Sequence, residues 1–195
     1  MSFKPGDLFF GLMEFLAFIV PGFILCITLP FILHYPVKEY VEIKNDTVIT
    51  FFWVSLVLVS YITGHFLHHI CALVLNPVYK NTYLKWKIGK HIEFVTKVET
   101  QIDQKIPILS DHLKKAEAYV KMNSPVIIPE LEKHEANSKL FRSLCLLSLY
   151  LCLLPCLNWY GRAVLIIISF LSFSKFANER WNHRYLVYQY FNLIN

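Results

Sequence analysis

Apolar residues in this chain fall into long blocks, and the charged residues gather between them. The first block runs from Asp7 to Leu33, the second from about Val48 to Leu75, the third from Leu140 to Leu157 and the fourth from about Ala163 to Phe176. A helix rises 1.5 Å per residue and a bilayer's hydrocarbon core is roughly 30 Å thick, so runs of about 18 or more apolar residues read as membrane spans. Four blocks in 195 residues predict an all-α integral membrane protein: four transmembrane helices with a cytoplasmic helical segment between spans two and three. The first block exceeds the roughly 7–15 residues of a signal-peptide core and lacks a small-x-small cleavage pattern, so it is read as a retained helix.

Prolines and caps set the expected boundaries. Pro21-Gly22 and Pro30 interrupt span one, and a kink is expected because proline removes a helical donor. Asn76-Pro77 is expected to end span two. In the polar segment, Leu84, Ile88, Ile92, Val95, Val98, Ile102 and Ile106 recur at steps of three and four, which predicts one amphipathic helix stopped by Pro107. Ser110-Asp111 opens a second helix that reaches about Lys121. Val126 to Ile128 reads as an extended apolar piece. Pro129 with Glu130, Glu132 and Glu135 begins a third helix, expected to run unbroken into span three. Span four is short and is expected to extend into the tail, which keeps helical spacing in Trp181, Tyr185 and Tyr188. The resulting divisions are a first transmembrane hairpin over 1–77, a cytoplasmic amphipathic helical segment over 78–139, and a second transmembrane hairpin with an interfacial C-terminal helix over 140–195.

Composition supports this reading: 55% of residues are hydrophobic and 17% charged, against roughly 25% charged in a soluble domain. The formal charge of +5 is explained by topology rather than by nucleic acid. Residues 77–142 and 175–195 hold fifteen Lys and Arg, whereas Lys38, Lys44 and Arg162 are all that the other side carries. By the positive-inside rule both termini and the middle segment face the cytoplasm, as expected for a multi-pass protein of the cell inner membrane. All five cysteines lie in apolar runs and read as small hydrophobes without disulfides.

Few residues carry candidate chemistry. Glu14 is an acid inside span one, about 9 Å deep by helical rise, and His65 in span two is about 15 Å deep from the same side. Charged groups in hydrocarbon are costly and face protein or water, so the two are expected to meet in the bundle interior, as a protonation switch, an ion path or a satisfied polar pair. Tyr61, His65, His68 and Ala72 share one helical face, expected to turn toward other helices. His65-Phe66-Leu67-His68-His69 has the H-x-x-H-H form and resembles one histidine box of the membrane-bound di-iron desaturases and hydroxylases. The resemblance implies further boxes to complete two iron sites, and His34, His91, His112, His134 and His183 are solitary. His65, His68 and His69 with Glu14 are thus pathway or switch candidates. Arg142, Arg180, His183 and Arg184 are interfacial-anchor or anion-binding candidates near the cytoplasmic face. No Walker loop, G-x-S-x-G, H-E-x-x-H, C-x-x-C or EF-hand pattern occurs. No catalytic residue, metal ligand set or cofactor is assigned.

The expected function is an oligomeric membrane effector or sensor that forms or gates a membrane pathway and couples to a soluble cytoplasmic partner. The lipid bilayer and further copies of the chain are the expected partners, and direct nucleic-acid binding is not expected. In span count, length and cytoplasmic middle segment the chain resembles the small four-span membrane subunits of bacterial phage-defence modules of the Kiwa type. That layout implies a role in antiviral defence and carries over no residues. The alternatives are a histidine-box membrane metalloenzyme and a non-conducting scaffold or immunity protein.

Overall fold

The computed structural model describes residues 5–32, 46–106, 111–154 and 157–194, without the side chains of 5–14, 30–32 and 46–49. Residues 34–45 of the polar loop, Pro107, Ser110 and Pro155-Cys156 lie outside the described residues, as does the side chain of Glu14. All regular structure among the described residues is helical: α1 (Pro5–Ile32), α2 (Asp46–Val78), α3 (Lys85–Lys90), α4 (Ile92–Lys105), α5 (His112–Asn123), α6 (Ile128–Leu151) and α7 (Trp159–Ile194). A π-helical turn, Tyr79–Leu84, joins α2 to α3, and a 3-10 turn, Pro125–Ile127, leads into α6.

Among the described residues two helices are long and apolar enough to cross a membrane: the continuous helix from Thr50 to Lys90, and α7. Only 17% and 22% of their most apolar windows are buried, far less than the core helix of a soluble protein would be. The described apolar stretch of α1 is shorter, Phe15–Leu29. In α6 the apolar part from Leu140 to Leu151 is about 18 Å long by helical rise, short of the hydrocarbon thickness.

Several expected boundaries differ. Asn76-Pro77 does not end span two, because the helix continues through Pro77 into the π-helical turn. A wider turn is a common way to absorb the donor that proline lacks, and the hydroxyl of Thr82 donates to the Val78 carbonyl there. Pro21-Gly22 likewise lies within an unbroken α1. The stripe from Leu84 to Ile106 is not one helix. His91, with φ −124° and ψ 27°, separates α3 from α4 and leaves Ile92 exposed. Val126 to Ile128 is a helical turn rather than an extended piece, with Val126 in solvent and Ile127 buried.

Expected features that hold include α6, which runs unbroken from the acidic start at Ile128-Pro129-Glu130 into the apolar block. Asp111 caps α5 by accepting from the backbone N–H groups of Leu113 (3.1 Å) and Lys114 (3.4 Å). Span four does extend into the tail, as the single 36-residue α7.

The charged end forms a cap with its own core. Val98, Ile102, Val120, Leu131, Val187 and Phe191 are buried together, from α4, α5, α6 and the last turns of α7. Trp181 and Tyr188, expected at a membrane interface, belong to this core. A smaller cluster of Leu75, Tyr79, Cys145, Phe176 and Ala177 joins the cap to the apolar half. There α1 packs along α2, and α6 packs along α7.

Candidate functional site

The α1–α2 contact is set by residue size. The buried face of α2 is Ser60, Gly64, Leu67, Cys71 and Leu75, and its Ser60 and Gly64 meet Phe18 and Gly22 on α1, where Ala17 and Pro21 are also buried. A Cβ on Gly22 would collide with the Ser60 carbonyl, and one on Gly64 with the Phe18 carbonyl. Small residues four apart let helix backbones approach this closely, a common device where water does not drive packing. The face expected from polarity (Tyr61, His65, His68, Ala72) is therefore rotated partly outward, and His65 is exposed.

The three box histidines point to different surroundings. His65 stacks on Phe18 with ring centroids 3.8 Å apart and meets Tyr61 edge-on at 4.6 Å. His68 turns inward to Arg142. His69 is exposed and, with Tyr61, Ile62, His65 and Phe66, lines a shallow groove of about 340 Å³ on the outer face of α2. The expected meeting of Glu14 with His65 falls on a side chain outside the described residues.

Arg142 is the centre of the junction between the two halves. It is 5% exposed, at the point where α6 passes from charged to apolar sequence. Its Nη1 donates to Asn76 Oδ1 at 3.1 Å and its Nη2 approaches the His68 ring. The guanidinium lies 6.0 Å from the Phe176 ring centroid. Among the described residues no carboxylate pairs with it, and its Nε has no hydrogen-bond partner. A buried cation held by neutral groups is costly to keep, and it couples α2, α6 and α7 through one side chain.

The other three cationic candidates lie deeper in the cap. Arg184 Nη2 bonds Glu99 Oε1 (3.2 Å) and the Tyr188 hydroxyl (3.0 Å), and that hydroxyl donates to the same carboxylate at 2.9 Å. Burial pushes the Tyr188 phenol upward, so it stays a donor. Arg180 and His183 line a cleft between α5, α6 and α7. Burial pushes the His183 imidazole below its ordinary value, against the opposing pull of Glu117 and Glu135. Arg142 and Arg184 thus have different hydrogen-bond partners, while Arg180 and His183 line the cleft.

Further residues complete the cap's polar network. His134 Nδ1 meets Glu179 Oε2 at 2.6 Å, and Lys175 bridges the other oxygen at 2.9 Å. The buried Lys115 reaches Asp103 at 2.9 Å, and this bond holds the Asp103 carboxyl below the usual range. Burial raises Glu135, but Lys139, with help from His183 and Arg180, more than offsets that and leaves it lowered. The acid–base spacing of Lys175 and Glu179 was visible as an i,i+4 pair, whereas His134–Glu179 joins residues 45 apart in the chain. Compared with protein-family models, with curated proteins and with solved structures, this chain matches none.

Proposed function

We propose that the chain is a self-associating membrane effector or sensor, with a cytoplasmic cap that controls a pathway through its apolar half. The observation that carries this reading is the buried Arg142. It sits where α2, α6 and α7 pass from apolar to charged sequence, and its partners come from the apolar helix α2. No linker separates cap from apolar half along α6 or α7. A change in the cap would therefore reach the helices below as a rigid shift, and the cost of an uncompensated buried charge gives the junction two states to choose between.

In this reading α1, the apolar part of α2, the end of α6 and the start of α7 are four spans, with both termini inside. The open apolar surface of α2 and α7 would meet lipid and further copies of the chain. A soluble cytoplasmic protein is the partner expected for the cap, and defence against phage is one setting for such an effector.

The test is membrane potential, read by dye in cells induced for the parent chain, Arg142→Met or His68→Ala at matched membrane levels. Depolarisation by the parent that is lost in both variants is the expected result. An unchanged potential with the parent present in the membrane fraction would remove the pathway and leave an anchored scaffold.

A further inference from the structure

Three side chains from three helices converge on the cleft in the cap. Glu117 lies on α5, Glu135 on α6 and His183 on α7, and one donor atom of each lies within 4.8 Å of the other two. The cleft holds about 200 Å³. His183 is 9% exposed, and its buried Nε2 has no hydrogen-bond partner among the described residues. A buried ring nitrogen left unpaired is costly, and such groups commonly serve a ligand. We propose that Glu117, Glu135 and His183 form a binding site for a divalent first-row transition ion of the Zn²⁺ or Mn²⁺ class, which ties α5, α6 and α7 together. The proposal is independent of the membrane pathway.

The donor set selects the ion. Two carboxylates balance a divalent charge, and one imidazole favours a transition ion over Ca²⁺ or Mg²⁺, which prefer oxygen alone. The neutral imidazole is the form that binds metal. Donors around a tetrahedral zinc are about 3.4 Å apart, so closure asks separations of up to 4.8 Å to shrink by at most about 1.4 Å. Three protein ligands leave a coordination position open toward the cleft.

Cations also surround the site and set its strength. Lys121 pairs with Glu117 at 2.7 Å and Lys139 with Glu135 at 3.1 Å, while Lys114 and Arg180 line the cleft. Both ion pairs engage Oε1. A carboxylate has acceptor positions on both oxygens, so the lysines need not leave for a metal to bind. They weaken the site by repulsion, and removing them should tighten it.

Titration of the full chain in detergent with Co²⁺, in metal-free buffer, tests the site. The parent should develop a visible absorption band that saturates at one ion per chain, disappears on adding Zn²⁺, and accompanies a rise in melting temperature. His183→Ala and the double variant Glu117→Gln with Glu135→Gln should lose both band and thermal shift. Lys121→Ala with Lys139→Ala should bind more tightly. The glutamine variants keep the shape of each side chain, so they report on the site even if His183→Ala fails to fold. A parent without band or shift, or glutamine variants that keep both, would overturn the proposal.

Discussion

In the cap, Ile102, Val120 and Phe191 are fully enclosed, whereas along α2 and α7 Phe51, Phe66 and Phe170 stand out from the surface. The cap excludes water from bulky side chains, which is how soluble domains gain stability. The apolar half instead brings backbones together at Gly22 and Gly64 and adds a few polar bridges. One is the Ser169 hydroxyl donating to the Cys145 carbonyl at 3.0 Å between α7 and α6. The difference teaches that one chain uses two kinds of cohesion, and that each half is vulnerable to a different substitution.

The largest effect is expected at the helix crossing. Gly22→Leu drives a side chain into the Ser60 carbonyl, and a backbone cannot move aside as a side chain can. The cost should exceed about 3 kcal/mol, read as loss of cooperative melting of the detergent-solubilised protein. In the cap the damaging change runs the other way, from large to small. Phe191→Ala should cost about 3–5 kcal/mol, seen as a cap transition at lower denaturant while the apolar helices keep their circular dichroism. At the junction, Arg142→Met strands the Asn76 amide oxygen and the His68 ring, and about 1–3 kcal/mol should be lost. Equal protection from hydrogen exchange in α2 before and after that change would show that Arg142 does not join the halves. Gly89 gives the opposite sign: a Cβ there meets nothing, so Gly89→Ala should stabilise by about 0.4–1 kcal/mol, measured by chemical denaturation.

Acid should weaken the cap, and only gradually. The native value of His183 is lowered from 6.5. The unfolded chain therefore binds the extra proton first, and stability falls as pH drops below about 6.5. Asp103 and Glu135 are also lowered. Their contribution is present above the ordinary carboxylate value of about 4 and is lost as pH falls through the lower native values. Melting of the cap followed from pH 7 to pH 3 should decline in these two stages, and a flat profile would contradict both shifts.

Much of this contrast was legible in the sequence. The stripe through Val95, Val98 and Ile102 marked the cap's core face, because a period near 3.6 has one meaning on a polar helix. Pro129 and its acids marked where α6 starts. Pro77 misled, since a terminator and a proline absorbed by a wider turn look alike until neighbours are placed. Trp181 and Tyr188 misled for a related reason: aromatics suit both a membrane interface and a buried core. Polarity found only part of the packed face of α2: His65 and Tyr61 meet Phe18 and His68 meets Arg142, but the closest approach is at Gly64 and Ser60, which are chosen by size. Glu117, Glu135 and His183 lie far apart along the chain and leave no spacing motif, so only the packing of α5, α6 and α7 brings them together.

The single length of α7 has a consequence for synthesis. Residues 181, 187, 188 and 191 complete a core whose other walls come from residues 95 to 131. Those walls emerge from the ribosome early and wait, half-built, while the apolar stretch that opens α7 is made and delivered. The cap can close only after residues 181 to 191 have left the tunnel. A ribosome stalled anywhere before residue 181 would therefore hold an open, sticky intermediate, an obvious substrate for chaperones and proteases.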